Sequence, residues 1–174
     1  WLIILAELLT FGILFVSYAF ARARDVAAFN AAQATLDLHS GALNTVLLIT
    51  GSWCVARAVQ AVRSGARRPG LGWLMAAMLC GLGFVAVKWA EYAAKLREGI
   101  DLTSNTFYTL YLMLTAFHFL HVVVALLALG YLAVRLRGGA YGPQDCHAME
   151  TGAAFWHMVD LLWIVLFPLV YVLR

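Results

Sequence analysis

The sequence predicts an all-α polytopic membrane protein, a bundle of five transmembrane helices forming a single domain over residues 1–174. Three observations predict it. Hydrophobic residues make up 64% of the chain and charged residues only 12%, against about 25% charged in an ordinary globular chain. Five apolar runs each reach about 20 residues, the length that crosses about 30 Å of hydrocarbon at about 1.5 Å per residue. Ten of the twelve basic residues lie outside those runs. Each run has to be a helix, because lipid offers no partner to unpaired backbone groups.

The first helix is expected over residues 1–20; since the chain opens at Trp1 rather than Met, residues preceding this numbering are expected too. Ala21 to His39 is a longer, weakly charged connection whose Ala/Gln content suits a short interfacial helix. The second span runs from about Ser40 to Val62. A tight basic turn, Arg63-Ser64-Gly65-Ala66-Arg67-Arg68-Pro69-Gly70, separates it from the third, from Leu71 to about Ala93. The fourth, Thr106 to Val134, is the longest and must tilt or project beyond the bilayer. Gly138-Gly139 and Gly142-Pro143 end it. The fifth span, Ala153 to Leu173, contains Pro168.

Other classes fall away. A net charge of +3 is too small for a polyanion-binding surface, so no nucleic-acid partner is expected. Cys54, Cys80 and Cys146 share no metal-ligand spacing, and an odd count makes no disulfide framework. Loops two and four, with Arg63, Arg67, Arg68, Arg135 and Arg137 and with Arg57 just inside the second helix, slightly outweigh the opposite face, with Arg22, Arg24, Lys95, Arg97 and Arg174. The positive-inside rule then places the N-terminus in the cytoplasm and the C-terminus in the periplasm of a bacterial inner membrane.

Polar residues inside the spans need a reason, since each is expensive there. Glu7 lies roughly 9 Å along the first helix, with Thr10 and Ser17 on its side. It reads either as a proton-exchanging carboxylate or as a hydrogen-bonded structural one. Lys88 and Glu91 are i, i+3 and can pair on one face, neutralising two charges near the membrane edge. On the fourth helix Tyr108, Tyr111, Thr115, His118 and His121 form a stripe. On the fifth, Glu150, His157 and Asp160 fall on one side, as an acid–imidazole–acid row. HxxH invites a metal or haem reading. The residues by themselves favour interhelical hydrogen bonds instead, with His157 and Asp160 presented to His118 and His121.

Taken in order, these segments resemble subunit III of the haem–copper oxidases. The resemblance is carried by Glu7 within WLIILAELLTFGILF, by Glu91-Tyr92, by HFLHV at 118–122 and by FWHMVDLLWIVLF at 155–167. It covers nearly the whole chain and corresponds to the last five of the seven helices of the long members. Gln33-Ala34-Thr35-Leu36, Leu43-Asn44-Thr45, Thr103-Ser104-Asn105-Thr106-Phe107-Tyr108 and Phe167-Pro168-Leu169 are similar to the five-helix subunit-III-like protein associated with nitric oxide reductase. Two positions depart from the family pattern: Ala125 replaces a frequent Gly, and Cys146-His147 replaces a usual His-His.

The resemblance implies a non-catalytic accessory membrane subunit of a respiratory complex. It would carry no metal and no cofactor, stabilise a catalytic haem–copper subunit, and support that partner's proton and lipid environment. Its branch implies nitric oxide reduction. The alternatives are subunit III of a cytochrome c or quinol oxidase, and a small proton-linked transporter built on Glu7, Glu91 and Asp160. By the same resemblance Glu7 matches a carbodiimide-reactive membrane carboxylate. Arg135 matches an arginine that contacts phospholipid headgroups, which makes phospholipid the one bound group expected.

Overall fold

The computed structural model describes residues 1–99 and 105–173; Thr103, Ser104 and Arg174, used above, lie outside the described residues. The chain forms α1 (Leu2–Arg24), α2 (Val26–Gln33), α3 (Leu38–Arg63), α4 (Arg67–Arg97), α5 (Thr106–Arg137) and α6 (His147–Phe167), closed by a π-helical turn, Pro168–Val172. Five of these are long and apolar enough to span a membrane, the last being α6 with its π turn. The short α2 occupies the connection whose composition suited an interfacial helix.

The observed helices run past the apolar stretches that mark them in sequence. α4 starts four residues before Leu71, at Arg67, because Pro69 sits in its first turn, where the missing N–H has no intrahelical acceptor to lose. α6 starts at His147, so a polar turn with Glu150 and Thr151 stands ahead of the apolar run. Side-chain caps start three helices: Asp25 accepts from the Ala28 N–H, Asp37 from His39, and Asn105 from Tyr108. The Ser40 hydroxyl also donates to Asp37 and holds its carboxyl below the usual 3.8. Gly65 (φ 80°) and Gly139 (φ 81°) close α3 and α5 in the left-handed conformation that glycine enters without strain. Ala66 N–H then reaches the Ala61 carbonyl, and Ala140 N–H that of Arg135, which satisfies carbonyls the helix end leaves free.

α3 and α4 form an antiparallel hairpin, and α5 and α6 complete the packed core against them. Without a hydrophobic force between helices in lipid, close backbone approach carries the packing. Trp156 of α6 provides the clearest case. A Cβ added at Gly81 of α4 would sit 2.8 Å from Trp156 and 2.7 Å from Leu126, and one at Gly51 of α3 would sit 3.0 Å from Trp156. The indole therefore wedges between two helices at the points where they have no side chain. α1 packs outside this core on α5 and α6, with only Phe11 and Tyr18 fully enclosed. Its remaining apolar face, including Leu5, Leu9, Ile13 and Val16, is exposed.

Gly81→Val should overpack this junction, at about 1–3 kcal/mol. Thermal unfolding in detergent should show a lowered midpoint, with a smaller loss for Gly72→Val, where a Cβ meets nothing within 4 Å.

Candidate functional site

The polar residues inside the bundle form three separate groups. The most enclosed is built on Lys88, which has no exposed surface. Its Nζ lies 3.1 Å from Glu91 Oε2 and donates to Tyr171 Oη at 2.5 Å. Tyr111 and Tyr171 both donate to the other carboxylate oxygen, Glu91 Oε1, at 2.5 and 2.6 Å. The rings of Tyr92, Tyr111, Trp163 and Tyr171 surround Nζ at 5.2 to 5.5 Å from their centroids. Sequence spacing anticipates the Lys88–Glu91 pair, and the structure encloses it within the bundle, joined to α5 and to the π turn.

Tyr171 carries no signal in the sequence. It reaches Glu91 because Pro168, lacking an N–H, ends the regular α6 ladder and the chain continues as a π turn. Gln33 of α2 then donates to carbonyls at that turn, Leu169 O at 3.3 Å and Val170 O at 3.0 Å, as well as to Tyr18. Lys95 Nζ donates to the Thr35 carbonyl at 3.1 Å, and Thr35 shares a hydrogen bond with Tyr108. The connection between α1 and α3 is thus tied to α4, α5 and the end of α6.

The second group joins α1 to α5. Glu7 Oε2 lies 3.0 Å from His121 Nε2, while His121 Nδ1 lies 2.8 Å from the Phe117 carbonyl. A carbonyl only accepts, so Nδ1 is the donor there. The contact between Nε2 and Glu7 therefore holds one proton, on the carboxyl or on the ring. A cavity of about 500 Å³ lined by Glu7, His121, Thr151 and Phe155 opens beside the pair. The anticipated stripe below Glu7 does not extend to other helices. Thr10 and Ser17 turn their hydroxyls back to the Ala6 and Ile13 carbonyls of α1 itself.

The third group corrects the expected meeting of α5 and α6 histidines. His157 Nδ1 pairs with Ser52 Oγ of α3 at 2.5 Å, and Asp160 lies against the same serine. His118 is enclosed by Phe11, Phe84 and Trp163 rings, and neither of its nitrogens has a hydrogen-bond partner. The reason is helical phase. Trp163 is the α6 residue that packs on His118, and His157 lies about 120° around the helix from it, toward α3. Glu150 does not continue an acid–imidazole row either. It takes Arg63 Nε at 3.0 Å and Nη2 at 2.7 Å at the exposed end of the bundle, with Cys146 Sγ at 3.0 Å. The hydrogen bond to that carboxylate pushes the Cys146 thiol pKa up. Arg135 is exposed in the last turn of α5. Among the described residues, no three His, Cys, Asp or Glu side chains gather into a set able to hold a metal ion.

The family model for cytochrome c oxidase subunit III matches residues 1–174. The chain belongs to that family. Among its relatives, a probable cytochrome c oxidase subunit 3 of Nocardia farcinica is 30% identical over 169 residues, covering 97% of this chain and 83% of the relative. The quinol oxidase subunit 3 of Bacillus subtilis is 24% identical over 173 residues, covering 99% and 84%. A heme-copper oxidase subunit I+III of Aeropyrum pernix is 29% identical over 177 residues, covering 98% of this chain and 22% of that much longer one. In this member of the family, the Lys88 group joins α4 to α5 and the π turn, and the Glu7 group joins α1 to α5.

The Lys88 group can be apportioned by a double-mutant cycle. Glu91→Leu strands an enclosed ammonium and should cost about 3–5 kcal/mol, whereas Lys88→Met with Glu91→Leu should cost much less than the two single changes together. Unfolding in mixed micelles, with helix content as readout, measures all corners. Additive losses would show that the two groups do not depend on each other.

Proposed function

We propose that this chain is the accessory third subunit of a bacterial haem–copper oxidase that uses cytochrome c or quinol, packing on the catalytic subunit without redox chemistry of its own. The observation that carries the reading is the match over the whole chain to a family whose members here are named for cytochrome c and quinol oxidases. The internal geometry agrees with it, since Lys88, Glu91, Glu7 and His121 are held by one another and by neighbouring helices. A heme-copper oxidase subunit I+III among the relatives supports a catalytic subunit I as the partner.

The nitric oxide branch rests on residues for which the fold has other uses. Gln33 holds the carbonyls of the π turn, Pro168 begins that turn, and Thr45 accepts from the Trp163 indole at 2.9 Å. Each position serves packing within the chain, and the relatives are named for cytochrome c and quinol oxidases, so the oxidase reading is preferred. On this reading the N-terminus is cytoplasmic, Arg135 contacts phospholipid headgroups, and the chain itself binds no cofactor.

Capture of the tagged chain in a gentle detergent, with mass spectrometry and a reduced-minus-oxidised spectrum, tests this. The expected result is a haem–copper oxidase catalytic subunit in the captured complex, with haem signals that leave when the partner is stripped away. Recovery of a nitric oxide reductase catalytic subunit would replace the oxidase reading. Recovery of no haem protein would overturn it.

A further inference from the structure

His157 stands at the centre of α6, ten residues from either end, yet its side chain is exposed. Ionisable side chains within a span almost always face the bundle interior or a watery cavity, because acyl chains offer no hydrogen bond. Here Ser52 occupies Nδ1 from the inner side. Among the described residues, Nε2 has no hydrogen-bond partner. The surroundings are apolar and also exposed: Leu161 and Ile164 follow on the same face of α6 at i+4 and i+7. Ile49 lies one turn before Ser52 on α3 and is exposed as well. A fixed polar group ringed by apolar side chains is the arrangement of an interface centre, where the ring excludes competing contacts.

We propose that this α3–α6 face, centred on His157, is where a transmembrane helix of the catalytic haem–copper subunit docks, with a hydrogen-bonding side chain of that helix meeting Nε2 in mid-membrane. The naming of the occupant rests on the function proposed above and on the relative that joins subunits I and III in one chain. The position of the contact rests on the histidine. Lipid tails cannot answer it, and headgroups do not reach the middle of a span about 26 residues long. Ser52 fixes the ring plane, so the free nitrogen is presented in one direction before the partner arrives.

The experiment uses the assembled complex. His157→Leu keeps the apolar ring and removes the hydrogen bond. Interhelical hydrogen bonds in membranes average about 0.6 kcal/mol and reach about 1.7, so retention of the catalytic subunit through a detergent titration should fall about threefold to eighteenfold. His157→Gln should recover most of that loss. Ser52→Ala frees the ring but keeps Nε2, and should lower retention by less than His157→Leu does. A photoreactive side chain at Leu161 should crosslink to the catalytic subunit, and one at Leu79, on the outer face of α4, should not. Unchanged retention in His157→Leu would overturn the docking face, as would Leu161 crosslinks to a second copy of this chain or to lipid alone. Failure of the unsubstituted chain to bring down any haem–copper subunit is a different outcome, and it overturns the functional reading together with the partner named here.

Discussion

An ammonium group with no exposed surface, inside a protein that itself sits in lipid, must be supplied with everything water would have given it. Lys88 receives a carboxylate, two phenol oxygens and four aromatic faces. These cannot come from one helix. Glu91 and Tyr92 are on α4, Tyr111 on α5, Trp163 on α6 and Tyr171 on the π turn beyond it. Solvating one lysine therefore fixes the relative depth and rotation of three helices. Apolar packing in lipid does this only where shapes interlock, as Trp156 does at Gly51 and Gly81; a smooth apolar helix loses little by sliding against another apolar surface.

The unusual end of α6 follows from the same requirement. Carried past Phe167 as an α-helix, the chain would keep its regular ladder and present a different residue to Glu91. Pro168 interrupts the ladder, the π turn swings Tyr171 onto the carboxylate, and carbonyls at the turn need new donors. Gln33 supplies them, which is why the connection after α1 folds back as α2 instead of spanning the gap as an open loop. Close by, Lys95 donates to the carbonyl of Thr35, two residues beyond Gln33, so the same connection is also fastened to α4.

How much of this is readable from sequence depends on whether both partners of a contact share a helix. The spans are legible because length and apolarity are local properties. Lys88 with Glu91 is legible because i, i+3 fixes the pair without any tertiary knowledge. His118 and His121 mark the limit. Their spacing puts them on roughly the same side of α5 but about 60° apart, and that difference sends His121 to α1 and His118 into an aromatic pocket facing Trp163. Phase alone does not say which neighbour stands on each side, so the fifth span's His157 and Asp160 read as their partners when Ser52 of α3 is the actual one. Tyr171 and Gln33 were hidden for another reason. Their contacts exist only after a proline changes the helical pitch, and a reading based on 3.6 residues per turn does not contain that geometry.

The contact between Glu7 and His121 differs in kind from the Lys88 group, although both join an acid to a base. Lys88 and Glu91 are fully solvated by surrounding groups and hold a fixed arrangement. Glu7 and His121 share one proton across 3.0 Å, with Nδ1 committed to the Phe117 carbonyl. Moving that proton from carboxyl to imidazole changes the charges on the two residues and leaves their sum at zero. The side chains keep 27% and 12% of their exposure beside an open cavity, so this fastening of α1 to α5 stands at a face the bundle leaves partly open.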